Sequence, residues 1–239
     1  MAKVALITGS AVRLGDAIAR HLAEDQWDIA LHYRESSAEI SNLETELKQA
    51  YPDQRFITFK ADLGNMDHIP KLIKLVTKRF GQLDLLINNA AVFEPSTLKE
   101  TSDELLIRQT MVNYMAPFIL IRDFAINASK GLIINLVDAR IANNKSDHLA
   151  YSLSKKSLWE LTKSAALELA PFFRVNAIAP GAILPPAGKD LQYLKKIASK
   201  TPMKVPSGID AVLRSIDFII KNEDLTGQLI FCDGGAHLL

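Results

Sequence analysis

Three residues have the types and spacing for proton chemistry: Asp138, and thirteen and seventeen residues on, Tyr151 and Lys155. Tyr151 and Lys155, in AYSLSKK, lie four apart on a segment that continues SLWELTKSAALELA with helical periodicity. On a helix that spacing stacks both side chains on one face. A phenol ionises near pH 10, and a nearby ammonium lowers that value towards a range useful for proton transfer. Tyrosine is then the acid and lysine its tuner, although an isolated pair at this spacing also fits an ordinary amphipathic helix surface. Asp138 ends the apolar run GLIINLV, which reads as a buried strand. A carboxylate there is costly unless something uses it. The plainer alternative is that its side chain caps the segment that follows.

The elements that must position these groups recur along the chain. Seven β-rich runs stand out: VALIT at 4–8, DIALHY at 28–33, RFITFK at 55–60, LDLLIN at 83–88, GLIINLV at 131–137, FRVNAIA at 173–179 and GQLIFC at 227–232. Between them lie segments with helical apolar spacing, such as Leu14, Ile18, Ala19 and Leu22, or Leu72, Ile73, Leu75 and Val76. This alternation predicts βαβ units, with a seven-stranded, mostly parallel sheet covered by helices on both faces. No linker, repeat or low-complexity run divides the 239 residues, so a single doubly wound α/β domain is expected. The Pro- and Gly-rich stretch PGAILPPAGK follows the sixth strand. Ligands of open α/β sheets bind beyond the carboxyl ends of the strands, so a region near 180–205 is a candidate substrate loop, with a plain connector as the alternative.

Composition excludes several classes. A net charge of +1 lacks the basic footprint of nucleic-acid binding, and no run approaches the ~18 apolar residues of a membrane span. The apolar stretch in MAKVALITGS is too short for a signal peptide, so the cytoplasm is the expected location. The single cysteine, Cys232, reads as a small buried residue. His68 and His148 lack partners that point to a metal and read as surface; no metal is expected. Trp27 and Trp159 read as core or interface.

The first strand opens into TGSAVRLG, Thr8 to Gly15. Gly9 allows a tight turn, amides at the following helix N-terminus can hold a pyrophosphate, and Gly15 allows close helix–sheet packing. Arg13 sits where many such turns carry a glycine and can add a charge-assisted phosphate contact. The second strand ends in LHYRES, where an NAD site usually offers an acid to the ribose. His32 and Arg34 suit a ribose 2′-phosphate instead, which makes NADPH the expected cofactor; Glu35 alone argues against it.

Taken together, these motifs resemble the short-chain dehydrogenase/reductase family over nearly the whole chain. Thr8 to Gly15 resembles its glycine turn, Asp62 in KADL its adenine-contacting acid, and Asn88, Asn89 and Ala90 its NNAG motif, with Ala91 for the glycine. Asn113 matches the asparagine of its proton relay, Tyr151 and Lys155 its catalytic pair, and Pro180 and Gly181 its nicotinamide-side turn. The resemblance implies a Rossmann-type fold, further cofactor contacts from Leu14, Tyr33 and Leu63, and a homotetramer built through helix faces that include the Tyr151 helix.

Asp138 departs from the family's usual serine, and in that it resembles the pteridine reductases. These share a TGxxxRxG turn, an HYxRS-like strand end, an NNAxxF motif and a VDA segment, present here as TGSAVRLG, HYRES, NNAAVF and LVDAR. An ionised Asp cannot donate a hydrogen bond, but with Tyr151 it can relay a proton to a ring nitrogen as hydride adds to the adjacent carbon of a C=N bond. By the same resemblance Phe93 stacks on the flat pterin, unless it is simple core, and Arg13 reaches both cofactor phosphate and pterin edge. Ala91 replaces a serine of several pteridine reductases, and the short PGAILPPAGKD segment implies a more open or differently built substrate mouth. The expected activity is NADPH-dependent reduction of a dihydropterin or dihydrofolate. The alternatives are carbonyl reduction and a non-catalytic NADPH-binding regulator, against which the intact Tyr151–Lys155 pair argues.

Overall fold

The apolar runs become seven strands within two residues of their expected limits: β1 Val4–Ile7, β2 Asp28–Tyr33, β3 Phe56–Lys60, β4 Leu85–Asn88, β5 Gly131–Leu136, β6 Phe173–Pro180 and β7 Leu229–Cys232. They form one sheet in the order β3-β2-β1-β4-β5-β6-β7. Every pairing is parallel, which completes the mostly parallel sheet expected from the sequence. The computed structural model describes residues 2–144, 147–185 and 190–239.

Side-chain alternation along the strands divides the core in two. Ala5, Ile7, Ile29, Leu31, Ile87 and Ile134 face a layer made by α1 Arg13–Glu24, α2 Ser37–Ala50 and α8 Ile209–Lys221. Val4, Leu6, Ala30, Leu86 and Ile133 face the other layer, made by α3 Ile69–Phe80, α5 Ala116–Asn127 and part of α6 Leu149–Glu168. Strands covered on both faces are near-continuous apolar runs for this reason. Burial of each Leu or Ile in these layers stabilises the fold by about 1.5–3 kcal/mol.

The chain steps outward from β1 to β2 and β3 on one side and from β4 to β7 on the other, so β1 and β4 meet at the point where the order reverses. A crevice opens there beyond the carboxyl ends of the strands. The described part of 180–205 includes a short helix, α7 Leu191–Ala198, whose Tyr193 amide donates to the capping Asp190 carboxylate at 3.1 Å. Residues 186–189 of the expected substrate loop lie outside the described residues. Among the described residues, no helix is long and apolar enough to cross a membrane.

Candidate active site

A cavity of about 450 Å³ lies at the reversal point, walled by the turn after β1 and the ends of β2, β3 and β4. The turn can exist only with glycine at two places. Gly9 has φ +66°, and a Cβ on Gly15 would fall 2.0 Å from the Gly9 carbonyl oxygen. Val12 precedes α1 and offers no side-chain cap, so the first amides of that helix face the cavity without a side-chain acceptor. That is the donor set an anion requires.

Of the expected cofactor residues, Gly9, Arg13, Leu14, Gly15, His32, Tyr33, Arg34, Asp62, Leu63, Asn89 and Ala90 line this cavity. Asn89 also fastens the turn, donating from Nδ2 to the carbonyls of Thr8 at 2.9 Å and Gly9 at 3.1 Å. Asp62 stabilises its own bend by accepting the Gly64 amide at 2.8 Å. Arg13 adopts φ +59°, rare for a residue with a side chain, and its guanidinium donates to the Pro185 carbonyl at 3.0 Å. It therefore links the glycine turn to the segment after β6.

Three expected site residues have side chains held by hydrogen bonds within the protein. Thr8 is buried behind the turn, where its hydroxyl accepts the amides of Asn89 at 2.9 Å and Ala90 at 3.0 Å; it holds the wall rather than facing the cavity. His32, expected beside a 2′-phosphate, has both ring nitrogens committed to backbone. The Gly9 amide can only donate to Nδ1, at 3.0 Å, so the proton sits on Nε2 and goes to the Ala61 carbonyl at 3.1 Å. Burial lowers this imidazole to about 4, so it carries no charge for a phosphate at neutral pH. Asn113 lies in a π-helical turn, Met111–Met115, between α4 Asp103–Thr110 and α5. Its side chain accepts the Val92 amide at 2.8 Å and donates to the Val92 carbonyl at 2.9 Å and Ser154 Oγ at 3.1 Å. It fixes the loop after β4 that carries Phe93; its side chain makes no direct hydrogen bond to the side chain of Tyr151 or Lys155.

Asp138, Tyr151 and Lys155 come together as their spacing predicts. The Tyr151 hydroxyl donates to Asp138 Oδ2 at 2.9 Å, and Asp138 Oδ1 accepts the Arg140 amide at 2.8 Å. The capping role and the chemical role of Asp138 therefore coexist. Burial raises the Asp138 carboxyl above its ordinary range, against the opposing pull of those two hydrogen bonds. Tyr151 is raised well above 10, first by burial and then by the Asp138 charge. This reverses the expected lowering by Lys155 and leaves a protonated phenol. Lys155 is fully buried, donates to the Leu136 carbonyl at 2.7 Å, and is lowered to about 8 by burial. Pro180 pairs with Cys232 at the end of β6, and Gly181 donates to the Cys232 carbonyl at 2.9 Å; both stand outside the cavity wall.

Phe93 is not core. It is 45% exposed, with its ring edge-on to Tyr151 at a centroid distance of 4.7 Å and stacked on His148 at 4.2 Å. His148, read from sequence as surface, is thus part of the site. The available signal was its place three residues before Tyr151, one helical turn away.

The chain is similar to known proteins over nearly its whole length. The family profile described as short chain dehydrogenase matches residues 3–193. Pteridine reductase 1 of Leishmania tarentolae is 30% identical, over 99% of this chain and 97% of its own. Dihydromonapterin reductase of Enterobacter sp. (strain 638) is 29% identical, over 98% and 96%. Among solved structures, FolM alternative dihydrofolate reductase 1 from Brucella canis, complexed with NADP, superposes with a TM-score of 0.91 at 31% identity, over 99% of this chain and 95% of that one. The chain belongs to the short-chain dehydrogenase/reductase family of oxidoreductases.

Proposed function

We propose that this protein uses NADPH to reduce a C=N bond of a dihydropterin, of the dihydrobiopterin, dihydromonapterin or dihydrofolate type, to the tetrahydro form. The observation that carries this reading is the Tyr151–Asp138 hydrogen bond, which puts a carboxyl group where the wider family carries a serine. The names of its relatives point the same way.

The residues fit the cofactor. The uncapped start of α1 and the Gly9 and Gly15 cradle suit a pyrophosphate, Arg34 a 2′-phosphate, and Asp62 with Leu63 an adenine. Asn89 and Ala90 continue the wall, Tyr151 and Lys155 would hold the nicotinamide ribose, and Pro180 with Gly181 would flank the nicotinamide. Bound NADPH supplies the hydride. Tyr151, kept protonated chiefly by burial, donates a proton towards the substrate nitrogen; Asp138 in its protonated form, favoured by burial, returns a proton to the phenolate and is itself reprotonated from solvent between turnovers. Arg13 spans cofactor and substrate, and Phe93 offers a ring face to a flat heterocycle.

The test is cofactor oxidation with NADPH and NADH against dihydrobiopterin, dihydromonapterin, dihydrofolate and simple ketones. Turnover of a pterin with NADPH is expected. Ketone turnover without pterin turnover would replace this reading with carbonyl reduction, and no turnover of either would leave a binding protein. We further propose a homotetramer in the cytoplasm; Leu153 and Leu167, exposed on α6, offer apolar surface for one of its helix-face interfaces. Light scattering that finds a monomer would overturn the tetramer.

A further inference from the structure

We infer that His148 is a positioning residue for planar substrates, bracing Phe93 so that its ring plane is set before a ligand arrives. The inference rests on the proposal that Phe93 stacks on the substrate ring. An exposed phenylalanine on a loop would ordinarily sample several rotamers, and ordering it on binding would weaken affinity. Here the ring is held on two sides: the His148 imidazole lies against it at 4.2 Å with planes only 8° apart, and Tyr151 meets it edge-on at 81°. Phe93 as a residue stays 45% exposed, and the ring face turned away from His148 is the one assigned here to the ligand.

His148 is itself fixed. Its Nδ1 lies 2.8 Å from Asp147 Oδ1, and that carboxylate also accepts Arg140 Nη1 at 3.0 Å. The backbone is bolted to the Phe93 loop, because the Ser96 amide donates to the Asp147 carbonyl at 2.8 Å and the Leu149 amide to the Ser96 carbonyl at 2.9 Å. The Arg140 guanidinium, 5.8 Å from the Phe93 centroid, adds a cation against the same ring. The start of α6 thus carries the proton donor and, one turn earlier, the support for the ring that orients its acceptor.

The experiment measures binding of oxidised biopterin to the NADP⁺-loaded protein by fluorescence quenching, together with steady-state kinetics on dihydrobiopterin, for H148A, H148F and F93A. H148A is expected to weaken biopterin binding and raise KM by about three- to tenfold, the range of aromatic-pair coupling, with kcat and NADPH affinity held. H148F keeps a flat ring and is expected to restore both values to within about twofold of wild type. Wild-type or tighter binding by H148A overturns the brace, as does an H148F defect equal to that of H148A, which would place the effect in the Asp147 hydrogen bond. If F93A also binds biopterin like wild type, the underlying stacking proposal fails; if F93A weakens binding and H148A does not, only the brace fails.

Discussion

The Tyr151 hydroxyl donates to a carboxylate, Asp138, that simultaneously accepts the Arg140 amide. The phenol is thereby aimed and kept protonated, and its partner is held by backbone rather than by chance rotamer preference. Replacing Asp138 with Ser should restore the ordinary family donor while removing the titrating group. D138S is expected to lose about 10²–10⁴-fold in kcat/KM towards dihydrobiopterin, the usual span of general acid–base catalysis, without a parallel loss towards simple ketones. Unchanged pterin turnover in D138S would remove Asp138 from the relay.

The pH dependence follows from the direction of the Asp138 shift. Burial raises this carboxyl, so its protonated form persists to higher pH than in a free aspartate. If that form supplies the proton, kcat falls as pH rises through the Asp138 titration, and D138N, which cannot titrate, lacks that limb. A wild-type profile with no such limb would mean that Asp138 stays ionised throughout turnover.

Local signals in the sequence predicted the seven strands and the convergence of Asp138, Tyr151 and Lys155, because side-chain periodicity and i, i+4 spacing survive folding. What sequence could not show was which polar groups the fold would commit elsewhere. Thr8, His32 and Asn113 have the right types for ligand contacts, yet each is spent on backbone from another element: Asn89 and Ala90, Gly9 and Ala61, and Val92, respectively. The sign of the Tyr151 shift was hidden for a related reason. Helical spacing brought Lys155 near, but burial and a carboxylate at 2.9 Å dominate.

With His32 neutral, Arg34 is the cation at the end of β2 that lines the cavity, and it is partly compensated by Glu35 at 3.1 Å. A charge-assisted contact is worth about 1.5–3 kcal/mol. R34A is therefore expected to lower the NADPH-over-NADH preference in kcat/KM by at least about tenfold, while E35A, which frees the guanidinium, strengthens NADPH binding. A preference unmoved in R34A would assign 2′-phosphate recognition to another group.

His32 also makes a stability prediction that needs no substrate. Its folded value of about 4 lies below the ordinary 6.5, so between these values the unfolded chain binds the extra proton and the folded chain does not. Stability that is present at neutral pH is then lost as pH falls from about 6.5 towards 4. For this one group the loss between pH 7 and pH 5 is about 2 kcal/mol. H32L removes the acceptor for the Gly9 amide and the donor for Ala61, so it should be less stable than wild type at pH 7, by about 1–3 kcal/mol for each group left unpaired. Its stability should nevertheless fall less steeply on acidification, and urea melts of both proteins at pH 7 and pH 5 isolate the histidine as a double difference. Equal acid losses in the two proteins would show that His32 already takes up its proton in the folded state, and the neutral clip between the glycine turn and β3 would have to be abandoned.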